Sequence, residues 1–262
     1  MGFIYKKSFG QNFLKDKNII KKIVDSANIK DNTLVIEIGP GAGAMSDMII
    51  CKAKYAILYE IDNRLEEVLS DKLSNYSNYK IIIGDFLKED VRKELKAYQY
   101  DSLYVVANLP YYITTPIVEK FIDDDILPDK LILMMQKEVA LRFSAKKNTK
   151  NYGALTVLLN YYYDINKLFD VSRKVFVPEP NVDSAVICMT KKEDRLVVKD
   201  MEFFKKVVRD SFMFKRKNLK NNLKNYDLKK ISLILEKYSL GLDVRAESLD
   251  LEIFVEIANE LV

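Results

Sequence analysis

Five consecutive residues, Asn108-Leu109-Pro110-Tyr111-Tyr112, combine groups suited to activating a poor nucleophile. An amine conjugated to an aromatic ring, such as N6 of adenine, delocalises its lone pair and attacks slowly. Acceptors aimed at its two N–H bonds make that nitrogen more pyramidal and more nucleophilic. The Asn108 side-chain oxygen and the Leu109 carbonyl are candidate acceptors, and Pro110 stiffens the turn that carries them. Tyr111 offers a ring on which the target base can stack, a contact worth about 1–3 kcal/mol that offsets part of the cost of unstacking the base. The alternative is an Asn-Leu-Pro turn followed by two surface tyrosines, because Asn and Pro mark turns.

A second segment, Glu37-Ile38-Gly39-Pro40-Gly41-Ala42-Gly43, closes an apolar run. Glycines allow a tight strand-to-helix turn and let a ligand approach the backbone. The Gly-Lys-Ser/Thr ending of a phosphate loop is missing. The G-x-G-x-G spacing, with an acidic residue two before the first glycine, also departs from the dinucleotide G-x-G-x-x-G. A zwitterionic ligand without phosphate fits better, and S-adenosyl-L-methionine is one, leaving as S-adenosyl-L-homocysteine after transfer. Taken alone, the loop also reads as a plain βα turn. Glu60 ends the next apolar run, where a carboxylate can accept from both ribose hydroxyls. Asp85 ends the third and is suited to accept from the cofactor's adenine amino group, with Phe86 offering an apolar face. A sulfonium is already a good leaving group, so positioning supplies most of the catalysis. That agrees with a chain of 262 residues holding no histidine, which excludes histidine triads, bases and metal ligands.

The elements that position these residues follow from hydrophobic patterning. Short, nearly continuous apolar runs at residues 33–38, 55–61, 80–83, 102–107 and 130–135 read as parallel strands buried on both faces. The segment 62–73 between two of them has a helical stripe of Leu65, Val68, Leu69 and Leu73. Residues 16–27 predict an additional helix capped by Asp16. Strands alternating with helices predict an α/β, Rossmann-like, doubly wound parallel sheet with the site at its carboxyl edge. After a charged stretch near residue 191 only helical patterns remain, at 201–214, 228–238 and 249–262. We expect a cofactor-binding domain over residues 1–191 and a small all-helical domain over 192–262.

The formal net charge of +4 is weak by itself as a sign of a nucleic-acid partner, so local clustering must carry that inference. Lys215, Arg216, Lys217, Lys220 and Lys224 form the densest basic cluster. With 3.6 residues per turn, Lys217, Lys220 and Lys224 share a helix face, predicted to hold RNA phosphates. A solvated helix face is the alternative. Lys146, Lys147 and Lys150, near the predicted mouth of the sheet, make a second candidate patch. Cys51 and Cys188 form no C-x-x-C pair, so neither a disulfide framework nor a metal site is expected. No leader pattern or run of about 18 apolar residues is visible. The expectation is a cytoplasmic monomer with no membrane association.

With these residues in place, the chain resembles the ribosomal RNA adenine N6-dimethyltransferase family, in its small-subunit (16S-type) branch. The matching motifs run nearly end to end. Lys7-Ser8-Phe9-Gly10-Gln11-Asn12-Phe13-Leu14 comes first, then the glycine loop, then Asn108 to Ile117. Gln136-Lys137-Glu138-Val139-Ala140 and Tyr152-Gly153-Ala154-Leu155 follow, then Val175 to Val186 and the basic stretch Phe212 to Leu223. The resemblance implies that Asn12, Leu14, Gly39, Glu60, Asp85 and Asn108 meet the cofactor, which Gly41 of the glycine loop is also expected to bind, and that Phe176 is a second aromatic wall for the target base. It implies dimethylation of two adjacent adenines in a hairpin near the 3′ end of 16S-type rRNA within a small-subunit precursor. In Phe214-Lys215-Arg216-Lys217 a lysine replaces one arginine that the family often uses, which keeps the charge but loses bidentate phosphate contacts. Three rivals stay open: a large-subunit (23S) adenine methylase, a DNA adenine methylase, and a non-catalytic nucleic-acid-binding relative. Tyr112, Thr114-Thr115-Pro116 and the basic stretch favour the small-subunit branch.

Overall fold

The computed structural model describes residues 12–262, so the part of the N-terminal motif over residues 7–11 lies outside the described residues. In chain order the described elements begin with β1 (Phe13–Leu14), α1 (Lys17–Ala27), β2 (Thr33–Ile38), α2 (Ser46–Ile50), β3 (Tyr55–Glu60) and α3 (Glu66–Lys72). They continue with β4 (Tyr79–Ile83), α4 (Val91–Leu95), β5 (Ser102–Asn108), α5 (Thr114–Asp123), β6 (Lys130–Gln136) and α6 (Lys137–Phe143). Then come α7 (Ala154–Tyr162), β7 (Tyr163–Val171), β8 (Phe176–Val177) and β9 (Ser184–Lys191). The last are α8 (Met201–Ser211), α9 (Leu219–Asn222), α10 (Leu228–Lys237) and α11 (Leu251–Leu261).

The seven-stranded sheet has the order β4-β3-β2-β5-β6-β9-β7. The first five strands pair in parallel, with Val35 between Ala56 and Tyr104, and Val105 beside Leu131. Every residue of β2 is buried, as a strand covered on both faces requires. The alternation of strands and helices predicts a parallel sheet, but the observed sheet is mixed. β9 runs antiparallel to β6, with Leu133 opposite Ile187 and Gln136 opposite Ser184. A helix crossover is needed only between parallel strands, so no helical segment announces this last pairing. On one face, Ile20, Ile23, Val24 and Ala27 of α1 join Val35, Val106, Met134 and Val186 in one core. Asp16 caps α1 by accepting from the backbone N–H groups of Asn18 and Ile19, at 2.8 and 3.2 Å.

Contacts divide the chain otherwise than by a single cut at 191/192. One unit runs through Ala140 and resumes over Asn166–Lys191; the other is Leu141–Ile165 with Lys192–Val262. The reason is packing: α7 packs on α8 and α11, and Tyr161 meets Phe204 with ring centroids 5.4 Å apart. In this second unit Phe204, Val207 and Val208 of α8, Ile231 and Leu235 of α10, and Phe254 and Ile257 of α11 are buried.

Candidate active site

The strand order reverses between β2 and β5, and at such a switch point the loops leave in opposite directions and open a crevice at the carboxyl ends of the strands. A cleft lies there, lined by residues from four parts of the sequence. The β1 arm gives Asn12, Phe13 and Leu14, the first loop Glu37, Gly39 and Gly41, β3 Glu60, and the end of β5 Asn108, Leu109, Pro110 and Tyr111.

The glycine loop is shaped by backbone that side chains resist. Gly39 and Gly41 have φ of +71° and +60°, in the left-handed region. At Gly41 space is limiting as well, because an added Cβ would lie 2.8 Å from the Phe13 ring. The Gly39 N–H donates to the Tyr59 carbonyl at 2.9 Å, holding the loop to the end of β3. The Gly41 N–H donates to Glu60 Oε2 at 2.9 Å, and the Asp62 N–H to Glu60 Oε1 at 2.9 Å. These two bonds fix the carboxyl of Glu60 at the cleft wall, and burial raises its pKa above the ordinary value.

Glu37 is the charged residue of β2, and it is fully buried. Ser46 Oγ donates to its Oε2 at 2.6 Å, whereas Oε1 has no hydrogen-bond partner. Desolvation pushes the carboxyl up to about 8, the nearby Glu60 charge adding to the rise, so the neutral acid prevails below that pH.

At the end of β5, Asn108 Nδ2 donates to the Asn12 carbonyl at 3.3 Å. That bond assigns the amide orientation and leaves Oδ1 as the acceptor end. The Leu109 N–H donates to the Met134 carbonyl at 3.0 Å, and the Pro110 carbonyl accepts from the Ile113 N–H and Thr114 Oγ1, each at 3.2 Å. The turn is thereby tied to β6 and α5. Tyr111 reaches across to β9, its hydroxyl 2.7 Å from Ser184 Oγ, and burial raises its pKa. Tyr112 is more than half exposed.

The expected residues do not all gather at the cleft. Asn12, Leu14, Gly39, Gly41, Glu60, Asn108, Leu109, Pro110 and Tyr111 line it; Asp85, Phe86 and Phe176 do not. Asp85 caps the turn after β4, accepting from the Leu87 N–H at 3.1 Å and lying 3.7 Å from Lys88 Nζ. Phe86 is 4% exposed and packs on Tyr59 and Phe121, at centroid distances of 5.1 and 5.4 Å. An apolar ring beside three strand ends is drawn into the core. Phe176 is also buried, but β8 pairs with β1 and sets it directly opposite Leu14. Sequence reasoning gave no role to Phe13 or Ser184, and it read Glu37 only as the acidic residue two before the first glycine of the loop, not as a buried acid.

The basic residues belong to the helical unit. The expected face of Lys217, Lys220 and Lys224 is not a helix face, because α9 spans only Leu219–Asn222. Asn218 caps α9 through the Asn221 N–H, and the Asn222 side chain ties back to the Ser211 carbonyl at 2.7 Å, so the backbone turns before and after. The contacts put Lys146, Lys147 and Lys150 in this unit too, where Lys147 pairs with Asp250 at 2.5 Å and the Lys150 carbonyl accepts from Lys215 Nζ at 2.6 Å.

Known proteins resemble the chain over nearly its whole length. Residues 2–262 match the family model described as ribosomal RNA adenine dimethylase. A ribosomal RNA small subunit methyltransferase A of Streptococcus thermophilus is 45% identical over 269 residues, covering 99% of this chain and 93% of the relative. One of Listeria monocytogenes is 45% identical over 271 residues, covering 99% and 92%. Among solved structures, a dimethyladenosine transferase from Plasmodium falciparum superposes with a TM-score of 0.78 at 26% identity, covering 94% of this chain and 95% of its own. The 23S rRNA methyltransferase ErmE shares the fold, with a TM-score of 0.77 at 24% identity over 95% of this chain and 99% of that one.

Proposed function

Because the chain belongs to the ribosomal RNA adenine dimethylase family, we propose that it dimethylates N6 of two adjacent adenines in a hairpin near the 3′ end of small-subunit (16S-type) rRNA, acting as a cytoplasmic monomer on a small-subunit precursor. The observation that carries this reading is the meeting of Asn108, Leu109, Pro110 and Tyr111 with the glycine loop in one cleft.

The family's methyl donor is S-adenosyl-L-methionine, and the cleft suits it. Backbone freed of side chains at Gly39 and Gly41, two buried carboxyls, and an unpartnered carboxyl oxygen at Glu37 Oε1 match a ligand bearing an ammonium, a sulfonium and a ribose. When bound it supplies an electrophilic methyl with a neutral thioether as leaving group. Gly39, Gly41, Glu60, Asn12 and Leu14 would hold it, with Asp85 and Phe86 at its adenine end. Asn108 Oδ1 and the Leu109 carbonyl accept from the target amine and localise its lone pair. The Tyr111 ring, held at its hydroxyl by Ser184, offers the stacking face. Phe176, buried in the β1–β8 ribbon opposite Leu14, is assigned the opposite wall. No side chain need move a proton to make the attack possible, which agrees with a chain lacking histidine. Among the described residues no helix is long and apolar enough to cross a membrane.

The test is incubation with labelled S-adenosyl-L-methionine and purified small or large ribosomal subunits lacking the modification, with products mapped by mass spectrometry. Dimethyladenine in small-subunit RNA supports the reading. Asn108→Ala should reduce it by about two to three orders of magnitude, the effect of removing a transition-state acceptor. Label confined to large-subunit RNA would overturn it.

A further inference from the structure

The sequence Phe212-Met213-Phe214 is an apolar run that folding divides. Phe212 turns inward against Tyr152 and Phe254, at centroid distances of 6.0 and 5.7 Å. Met213 and Phe214 remain 63% and 58% exposed, side by side on the surface of the helical unit. A single exposed apolar side chain is ordinary, but two adjacent ones at the tip of a fixed turn are not.

The turn is held by its own hydrogen bonds. Asn222 Oδ1 accepts from the Phe214 N–H at 3.1 Å, and Asn222 Nδ2 donates to the Ser211 carbonyl at 2.7 Å. The Lys217 N–H donates to the Phe214 carbonyl at 2.8 Å, and the Met213 N–H to the Asp210 carbonyl at 3.2 Å. Lys215 Nζ reaches the Lys150 carbonyl at 2.6 Å, joining the turn to a second exposed lysine-bearing loop. The ring is therefore presented on ordered backbone, with little left to order on binding.

Its charged surroundings are unbalanced. Several lysines elsewhere in this unit find carboxylates: Lys147 with Asp250, Lys205 with Glu202, Lys206 with Asp210, Lys237 with Glu256. Among the described residues no carboxylate forms an ion pair with Lys215, Arg216, Lys217, Lys220 or Lys224. An exposed aromatic ring followed directly in the chain by three cations without ion pairs is complementary to a polyanion with flat apolar groups. A lipid surface would ask for an extended apolar helix face, which a turn of this length does not offer.

Resting on the reading of this chain as an rRNA methyltransferase, we infer that the Met213–Phe214 turn is a base-stacking platform. An unpaired base of the substrate RNA stacks on the Phe214 ring, Met213 packs along its edge, and the flanking phosphates engage Lys215, Arg216 and Lys217. Phosphate contacts give affinity whatever the sequence, whereas a stacked base requires an unpaired nucleotide at a set distance, so the platform fixes where the RNA sits.

The test compares full-length wild type with Phe214→Ala, Phe214→Leu, Phe214→Tyr and Met213→Ala for binding to protein-free small-subunit rRNA over a salt titration. Phe214→Ala should weaken binding about ten-fold or more, the loss of one stacked base. It should leave the salt slope unchanged, because no cation is removed. Tyrosine should restore affinity and leucine should not, which separates stacking from simple burial. Thermal melting and calorimetry with S-adenosyl-L-homocysteine should match wild type in every variant. Wild-type RNA binding by Phe214→Ala would overturn the inference. So would a loss seen only with protein-containing subunits, which would assign the apolar pair to a ribosomal protein. Failure of the wild type to bind or methylate any rRNA would remove the functional reading and the platform together.

Discussion

At the scale of single residues, Glu37 and Tyr111 make separable predictions. Burial moves the Glu37 carboxyl from 4.5 to about 8, so the folded state holds its proton more tightly than the unfolded chain does. The resulting stabilisation is complete below about 4.5 and is lost as pH rises toward 8. Glu37→Gln keeps a neutral hydrogen-bonding side chain beside Ser46 and cannot ionise. Its melting temperature should gain on wild type with rising pH, by roughly 1 kcal/mol of stability per pH unit across this window. An offset between the two proteins that is the same at pH 5 and pH 8 would refute the assignment. For Tyr111, the hydroxyl and the ring do different things. Tyr111→Phe strands the buried Ser184 hydroxyl and should cost about 1–3 kcal/mol of stability while retaining most activity. Tyr111→Ala should lower kcat/KM at least about ten-fold further through loss of stacking. Equal activities of the two variants would show that the ring does not meet the base.

At the scale of elements, the site depends on pieces of unequal strength. β2 and β5 are buried on both faces and pair through several residues. The arm that brings Asn12, Phe13 and Leu14 to the cleft is a ribbon with two paired positions, Phe13 with Val177 and Leu14 with Phe176, and two-stranded ribbons are marginal alone. The Lys15 N–H, which donates to the Val175 carbonyl, should therefore exchange with solvent much faster than the amides of β5. Because the arm lines the cofactor cleft, S-adenosyl-L-homocysteine should slow that exchange at residues 13–15. Exchange there that ignores a saturating ligand would remove the arm from the site. The strand-end residues were legible because Glu60 and Asn108 close apolar runs of the right length. β9 was not, since its partner β6 lies about fifty residues earlier in the chain and no local period records the pairing.

At the scale of the whole molecule, a net charge of +4 spread over 262 residues says little, and the distribution of pairing says more. Lys147, Lys205, Lys206 and Lys237 of the helical unit are each matched to a carboxylate, whereas among the described residues the cations of segment 215–224 form no ion pair. Changing Lys217, Lys220 and Lys224 together to glutamine should weaken rRNA binding and reduce the slope of log K against log salt by about 2–3. An unchanged slope would mean that these lysines hold no phosphates. The three were expected on one helix face, but Asn218 and Asn222 use their side chains on the backbone and confine α9 to a single turn. The proposed contact is therefore made from Lys220 in α9 and from Lys217 and Lys224 on either side of it.

The sequence by itself determined the parallel core, the glycine loop, the acidic strand ends and the Asn108–Tyr111 turn, because each is written in local spacing: the period of buried residues, the need for left-handed backbone, the stiffness of proline. Tertiary structure alone decided which groups share the cleft. It set Phe13 over Gly41, gave Tyr111 its anchor on Ser184, drew Phe86 into the core and left Phe214 outside it. These outcomes depend on strand pairings and ring packing between residues far apart in the chain, and the free energy of such contacts appears only once the backbone has brought them together.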